Sequence, residues 1–249
     1  MPRYDFRSPR LYVEQPLAAG AAIALTPPQA HYVKDVLRLG AGEAVLAFNG
    51  RDGEWEGRLE LAGKRAAALR LAAQTRPQTS GSDLHYLFAP LKRARLDYMV
   101  QKAVEMGVAR LAPVMTRHTQ AERVNVARLR ANAIEAAEQC GVLGIPDIAE
   151  PVALDRALGE LAPARLLVFC DEDAPIADPV AALAAVTGAA ALAVLIGPEG
   201  GFAPQEREML LAHPRMVRLA LGPRILRSDT AAVAALALVQ AVLGDWRGI

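Results

Sequence analysis

Two glycine-proline loops carry the residues of this 249-residue chain whose types and spacing suit chemistry. In LAVLIGPEGGFAPQERE, Leu192 to Glu208, an apolar run ends in Gly197, Pro198, Glu199, Gly200 and Gly201 before a polar helical pattern begins. In LALGPRILRSDTAAVAAL, Leu219 to Leu236, a second apolar run ends in Gly222 and Pro223, adds Arg224 and Arg227, and offers Ser228, Asp229 or Thr230 as the cap of the last helix. Ligands of open α/β sheets bind outside the carboxyl ends of strands, and glycine lets backbone N–H and C=O groups approach a flat ligand closely. The two loops therefore read as two walls of one pocket, with Gly200 a position of close approach and positive φ that excludes a branched side chain. GPEGGF matches neither GxGxxG nor the P-loop pattern, so no phosphate cradle is indicated. Glu199 suits a neutral or cationic ligand better than a phosphate. A tight turn without ligand is the alternative for either loop alone.

The elements that must hold these loops form an α/β domain. From residue 83 onward, strand and helix patterns alternate five times: LHYLFAP then RLDYMVQKAVEMG, RLAPVMT then NVARLRANAIEAAEQCG, RLLVFC then PVAALAAVTG, LAVLIGP then PQEREMLLA, and MVRLAL then TAAVAALALVQAVLGDW. That rhythm predicts a mostly parallel sheet. Residues 1–75 differ, with short strand signals (LYVE, AIAL, EAVLAFNG, DGEWEGRLEL, AALRLAA) between turns such as Asn49-Gly50 and Asp52-Gly53. One helical segment, PPQAHYVKDVLR, interrupts them, with Pro27 and Pro28 at its start and Gly40 past its end. This pattern predicts a small β-barrel, joined to residues 83–249 by the polar linker TRPQTSGS. The uncharged stretch Val180 to Gly197 has spanning length, but its central Thr187 and Gly188 and flanking prolines read as a short helix followed by a buried strand rather than a membrane span.

Composition narrows the function classes. Hydrophobic residues make up 53% of the chain and aromatics only 5%, which argues for small-residue helix packing and against aromatic stacking platforms for nucleic acid. The net charge of +1 is unevenly spread: +2 over residues 1–75, +6 over 76–130 and −7 over 131–249, so polyanion contact belongs to the first half. Within it, Lys92, Arg93, Arg95 and Lys102 suit phosphate contact, with a solvated helix face as the alternative. Two cysteines, Cys140 and Cys170, give neither a disulfide framework nor zinc spacing, and the charged N-terminus does not resemble a secretory signal. A cytoplasmic protein without metal is expected.

IGPEGGF followed by Glu206, then LGPRILRSDTA, strongly resemble the paired C-terminal motifs of the RsmE family of SPOUT methyltransferases, which methylate uracil N3 in 16S ribosomal RNA. HYVKDVLRLGAGE from His31, KRARLDYMVQKAVEMGV from Lys92 and EAAEQCG from Glu135 are similar to three further family elements, in order over nearly the whole chain. The resemblance implies an N-terminal PUA-like β-barrel for RNA over residues 1–75, a C-terminal α/β domain with a deep trefoil knot over 83–249, and a homodimer. It implies that S-adenosylmethionine lies against Ile196, Gly197, Pro198, Glu199, Gly200, Gly201, Leu221, Gly222, Ile225 and Leu226. His31, Arg38, Lys92, Arg93, Arg95 and Lys102 then face RNA, with an assembled small ribosomal subunit preferred to free RNA. Three positions depart from the family pattern: Val142 where an arginine is usual, Asp229 for glutamate, and Ala203 for the serine that starts a helix.

Methylation at N3 needs in-line approach to a sulfonium methyl, loss of the N3 proton and stabilisation of negative charge on the uracil oxygens. Arg224 and Arg227, always charged and forked, suit the last task, though either could pair with Asp229 instead. Glu199 and Asp229 are the candidate carboxylates for the proton, with a structural role at a helix start as the alternative. His118, like His31, is a candidate RNA contact. Rival readings are a non-catalytic RNA-binding dimer, a methyltransferase acting on a different RNA nucleotide, and an α/β enzyme using another nucleotide.

Overall fold

The strand and helix signals translate into elements in the expected order. The computed structural model describes residue 5 and residues 7–62, 66–79, 81–121, 123–175, 178–186 and 188–247; the side chain of Arg93 lies outside that set, as do Ser80 of the linker and Thr187. By contact the chain divides into two units, residues 1–80 with 137–145, and residues 81–136 with 146–249.

The first unit contains β1 (Arg10–Tyr12), β2 (Ala22–Ala24), α1 (Pro27–His31) continuing as a π-helical turn over Tyr32–Val36, β3 (Ala44–Phe48), β4 (Glu54–Ala62) and β5 (Ala66–Arg76). Thr26 starts α1: its side chain accepts from the Gln29 backbone, the Gln29 side chain answers to the Thr26 amide, and Pro27 and Pro28 supply preset φ angles. The sheet order is β1-β3-β4-β5-β2, so the ladder of the expected barrel does not close between β1 and β2 among the described residues. Register shifts at Glu54/Trp55 and Glu56/Gly57 increase its twist around a core that includes Leu11, Ile23, Val33, Val45, Leu59 and Leu69. Residues 137–145 count with this unit, and two hydrogen bonds reach them: Tyr12 N donates to Glu138 Oε1 at 2.8 Å and Arg76 Nη2 to the Gly141 carbonyl at 2.9 Å. The same Arg76, with Arg10, holds the buried Glu54 carboxylate at 2.6 and 3.0 Å. Burial opposes ionisation of Glu54, yet the hydrogen bonds from Arg76 and Thr75 outweigh it and keep its carboxyl below the usual range.

The second unit runs β6 (Asp83–Phe88), α2 (Arg93–Glu105), β7 (Arg110–Met115), α3 (Val126–Cys140, whose residues from Ala137 onward count with the first unit), β8 (Asp147–Ile148), β9 (Val152–Ala153), α4 (Leu154–Gly159), β10 (Leu166–Cys170), α5 (Pro179–Ala184), β11 (Ala191–Ile196), α6 (Pro204–Leu211), β12 (Met216–Leu219) and α7 (Ser228–Val242). Its strands lie in the order β12-β10-β11-β6-β7-β8, with β9 also on β7, and every pairing is parallel. The five expected strand-helix alternations are all present; the short β8, β9 and α4 were not foreseen. β11 slots between β6 and β10, and Leu192 to Ile196 are buried, as a strand covered on both faces requires. The possible membrane span of residues 180–197 thus resolves into α5 and β11, and among the described residues no helix is long and apolar enough to cross a membrane. The consequence for function is positional: β12, β10 and β11 are adjacent, so their carboxyl ends open on one place.

Candidate active site

At that place three loops meet. β11 ends at Ile196 and turns through Gly197–Ala203 into α6; β12 ends at Leu219 and runs through Gly222, Pro223, Arg224 and Arg227 into α7; β10 ends at Cys170 and continues into Asp171, Glu172 and Asp173. Together they line a cavity of about 590 Å³. The two Gly-Pro loops are two of its walls, as the sequence suggests. The third, Cys170 to Asp173, escaped notice, although an acidic run at the end of an apolar strand was the available signal.

Each glycine has its own reason. A Cβ on Gly197 would lie 2.5 Å from Cε2 of Phe202, whose ring packs edge-on against Phe169 with centroids 5.5 Å apart, so Gly197 lets that ring come close to the backbone. Gly201 and Gly222 have φ of +69° and +92°, where a side chain is strained, and a Cβ on either would meet nothing within 4 Å. Gly200 is not at positive φ, and its Cβ would come no nearer than 3.4 Å to His118. The left-handed position expected at Gly200 is therefore one residue later.

The loop is braced from several sides. A proton on His118 Nδ1 lets the ring donate to the carbonyls of Gly201 at 3.0 Å and Gly200 at 3.2 Å, which gives this histidine a partner the sequence did not suggest. Ser228 Oγ donates to the Gly197 carbonyl at 3.2 Å. That use of the hydroxyl explains why α7 starts without a side-chain cap, its cap position being Arg227 rather than Ser228, Asp229 or Thr230. At α6, Ala203 offers no cap, and Glu206 compensates by accepting from the Ala203 amide at 2.9 Å and the Arg117 amide at 2.7 Å. Glu199 forms an ion pair with Arg95 of α2.

In that third wall, Asp171 ties three elements together. Its carboxylate, 1% exposed, takes Arg207 of α6 at 2.6 and 3.0 Å and Arg218 Nε of β12 at 2.7 Å. Burial pushes its pKa up, but the two guanidinium groups push harder the other way, so the carboxyl stays ionised below the usual range. The neighbouring Cys170 is partly buried, and its thiol is pushed up to about 12 by burial and by Asp171, which disfavours the thiolate near neutrality.

Of the proposed catalytic residues, Arg224 and Arg227 line the cavity, are exposed, and have no ion pair or hydrogen bond from their side chains among the described residues, so neither is spent on Asp229. Glu199 lines it too. Asp229 does not; its carboxylate accepts from the Thr230 amide at 2.9 Å. All ten positions assigned to the cofactor line the cavity. Among the described residues no group of His, Cys, Asp and Glu could hold a metal ion.

The expected RNA contacts separate. Lys92 and Arg95 line a second, larger cleft of about 1380 Å³ that shares Pro198 and Glu199 with the cavity. The Arg93 side chain lies outside the described set. Lys102 does not reach the cleft; its ammonium pairs with Glu105 at 2.7 Å and lies 5.5 Å from the centre of the Tyr98 ring. In the first unit, His31 Nδ1 sits 2.6 Å from Asp35 Oδ2 on an exposed surface, and Arg38 has φ of 59°, alone in that region among the described non-glycine residues.

Similarity to known proteins covers both units of the chain. A family model described as an RNA methyltransferase domain matches residues 78–240, and one described as an RNA methyltransferase PUA domain matches residues 25–72. The chain is 31% identical to the ribosomal RNA small subunit methyltransferase E of Rickettsia conorii over 93% of its own length and 94% of the relative's. It is 28% identical to that of Synechocystis, covering 94% and 78%. Among solved structures it is similar to the ribosomal RNA small subunit methyltransferase E from Neisseria gonorrhoeae bound to S-adenosyl methionine, with a TM-score of 0.86, 25% identity and coverage of 96% and 100%. A putative methyltransferase from Legionella pneumophila in complex with S-adenosyl methionine gives 0.81, 30%, 96% and 99%.

Proposed function

The chain belongs to the ribosomal RNA small subunit methyltransferase E family, and from that membership we propose that it methylates N3 of a uridine in 16S ribosomal RNA of the small subunit, using S-adenosylmethionine. The observation that carries this reading is the convergence of the two Gly-Pro loops and the Asp171–Asp173 loop on one cavity. Its volume is in the range of small-molecule sites. Its left-handed glycines, Gly201 and Gly222, present bare backbone, and Glu172 on its wall suits a cationic ligand. Residues 196–201 and Leu221, Gly222, Ile225 and Leu226 would hold the cofactor, which when bound supplies an electrophilic methyl group.

The chain's own residues then divide the work. Arg224 and Arg227, unspent on other partners, stabilise negative charge on the uracil oxygens as the N3 proton leaves. Glu199, on the cavity wall, is better placed to accept that proton than Asp229, which faces elsewhere, once its ion pair with Arg95 opens. Asp171, Arg207 and Arg218 fix the three loop stems and keep the loops preorganised. We also infer the family's trefoil knot, supported by β11 being inserted between strands laid down before it, cytoplasmic action on ribosomal particles, and a homodimer. The dimer is supported by α7, where Val233, Ala234, Ala237, Leu238 and Val242 remain only partly buried although the helix is almost wholly apolar.

The test is to incubate the protein with S-adenosylmethionine and small subunits lacking the modification, then digest the RNA and identify the nucleoside by mass spectrometry. N3-methyluridine is expected. A different methylated nucleoside overturns the N3 assignment, and no cofactor binding by calorimetry, with ATP or NAD binding instead, overturns the methyltransferase reading.

A further inference from the structure

The larger cleft beside the cofactor cavity holds two of the expected RNA contacts, Lys92 and Arg95, but no part of the target nucleotide has yet been assigned to it. It lies over the carboxyl ends of β6 and β7, between the start of α2 and the segment from His118 to the start of α3, and Pro198 and Glu199 form the wall it shares with the cavity. Its volume, about 1380 Å³, exceeds what small-molecule sites need and leaves room for a nucleotide with its neighbouring phosphates.

The charges of this cleft sort themselves by partner. Arg95 is held by Glu199, and Arg128 is held by Asp97, at 3.0 Å from Nε, with Asn132 on the same carboxylate at 2.6 Å. Those cations are already neutralised. Lys92 and Arg123 are exposed, and neither side chain has an ion pair or hydrogen bond among the described residues; Glu150 is the one lining carboxylate without an ion pair. The start of α2 adds positive potential through its backbone dipole, and its cap residue, Lys92, makes no side-chain capping bond. Unpaired cations at a cleft contiguous with a methyl-donor cavity fit an anionic chain whose base points inward and whose phosphates stay at the edge.

We propose that this cleft receives the target nucleotide of the RNA, extruded or single-stranded, with Lys92 and Arg123 on phosphates flanking it and the base directed past Pro198 and Glu199 toward the cofactor cavity. Base chemistry inside a stacked helix is sterically closed, so an enzyme acting at N3 must take the base out of its stack into a pocket. The proposal rests on the methyltransferase reading and adds to it the binding site for the substrate strand and one residue, Arg123, that no motif marks.

The experiment measures binding of a short fluorescent single-stranded RNA containing uridine across a salt series, without cofactor, for the wild type and for the double variant Lys92→Ala with Arg123→Ala. Each lost phosphate contact on a single strand lowers the slope of log affinity against log salt by about 0.7, so the double variant should lose about 1.4. A second variant, Ala94→Trp, fills the cleft from the exposed first turn of α2. It should lower methylation of small subunits at least tenfold while S-adenosylmethionine affinity, by calorimetry, and the thermal midpoint stay near wild type. A wild-type salt slope in the double variant, or wild-type methylation by folded Ala94→Trp, overturns the proposal. Failure of the unmodified protein to bind S-adenosylmethionine is a separate result that overturns the methyltransferase reading, and the salt slopes are read independently of it.

Discussion

Substituting alanine at the glycines of the first loop, one at a time, separates three physical effects that the sequence merges into a single motif. Gly201 sits at φ of +69°, where a Cβ costs roughly 1–2 kcal/mol, but the space around it is open. In Gly201→Ala that strain must surface in one of two places. If the bracing by His118 and Ser228 holds the loop, the folded state loses 1–2 kcal/mol, a fall of roughly 2–8 °C in thermal midpoint for a chain of this size. If the loop relaxes in the free protein, cofactor affinity falls instead, by about 5- to 30-fold. The two losses added together should come to roughly 1–2 kcal/mol. Gly200→Ala has no such strain, and its Cβ makes only a van der Waals contact with His118, so both losses should stay below about 0.5 kcal/mol. Gly197→Ala must displace the Phe202 ring from Phe169, costing about 0.5–1.5 kcal/mol for the lost aromatic pair in addition to exposed area, and this loss should show in the fold before it shows in binding. Calorimetry with S-adenosylmethionine and thermal melts on the three variants read all of these. A tolerated Gly201→Ala beside a damaging Gly200→Ala would refute the assignment of backbone strain to Gly201.

Three further outcomes are expected. Sedimentation at micromolar concentration should give the mass of a dimer, and a Val233→Glu, Leu238→Glu double variant should shift it to monomer; a monomeric wild type refutes the interface on α7. Stability should fall by up to about 3 kcal/mol as pH drops from 6.5 toward 4, because burial and then Arg165 hold the folded His85 at about 4, so only the unfolded chain gains a proton in that window; denaturant midpoints should show a flatter profile for His85→Gln, and an unchanged slope refutes the origin. Arg38→Gly should raise stability by about 1 kcal/mol by relieving its left-handed backbone, yet weaken RNA binding; a gain in stability with unchanged RNA affinity makes Arg38 only a helix terminator.

What could be read without coordinates was what lies close along the chain. β11 announced itself because five buried apolar residues are contiguous, and the loops announced themselves because glycine and proline punctuate them. β8, β9 and α4 were missed because two to six residues carry too little periodicity to register. The capping assignment at α7 failed for another reason: Ser228 has two possible acceptor or donor tasks, and the Gly197 carbonyl, 31 residues away, decided between them.

The same distinction governs the site. Gly201 and His118 are 83 residues apart, Asp171 and Arg218 are 47 apart, and Arg95 and Glu199 are 104 apart, so none of these bonds leaves a local signature. A cation's availability is a property of its partners, and partners are set by the strand order. Lys92, Arg95 and Lys102 look alike in sequence, yet only Lys92 is unspent: Glu199 holds Arg95 and Glu105 holds Lys102. Arg123, in no motif, becomes the more informative residue for the same reason. On the proposed reading the motifs therefore mark where the cofactor would lie, against local backbone, whereas the substrate strand would be bound by charges left over after the fold has paired the rest.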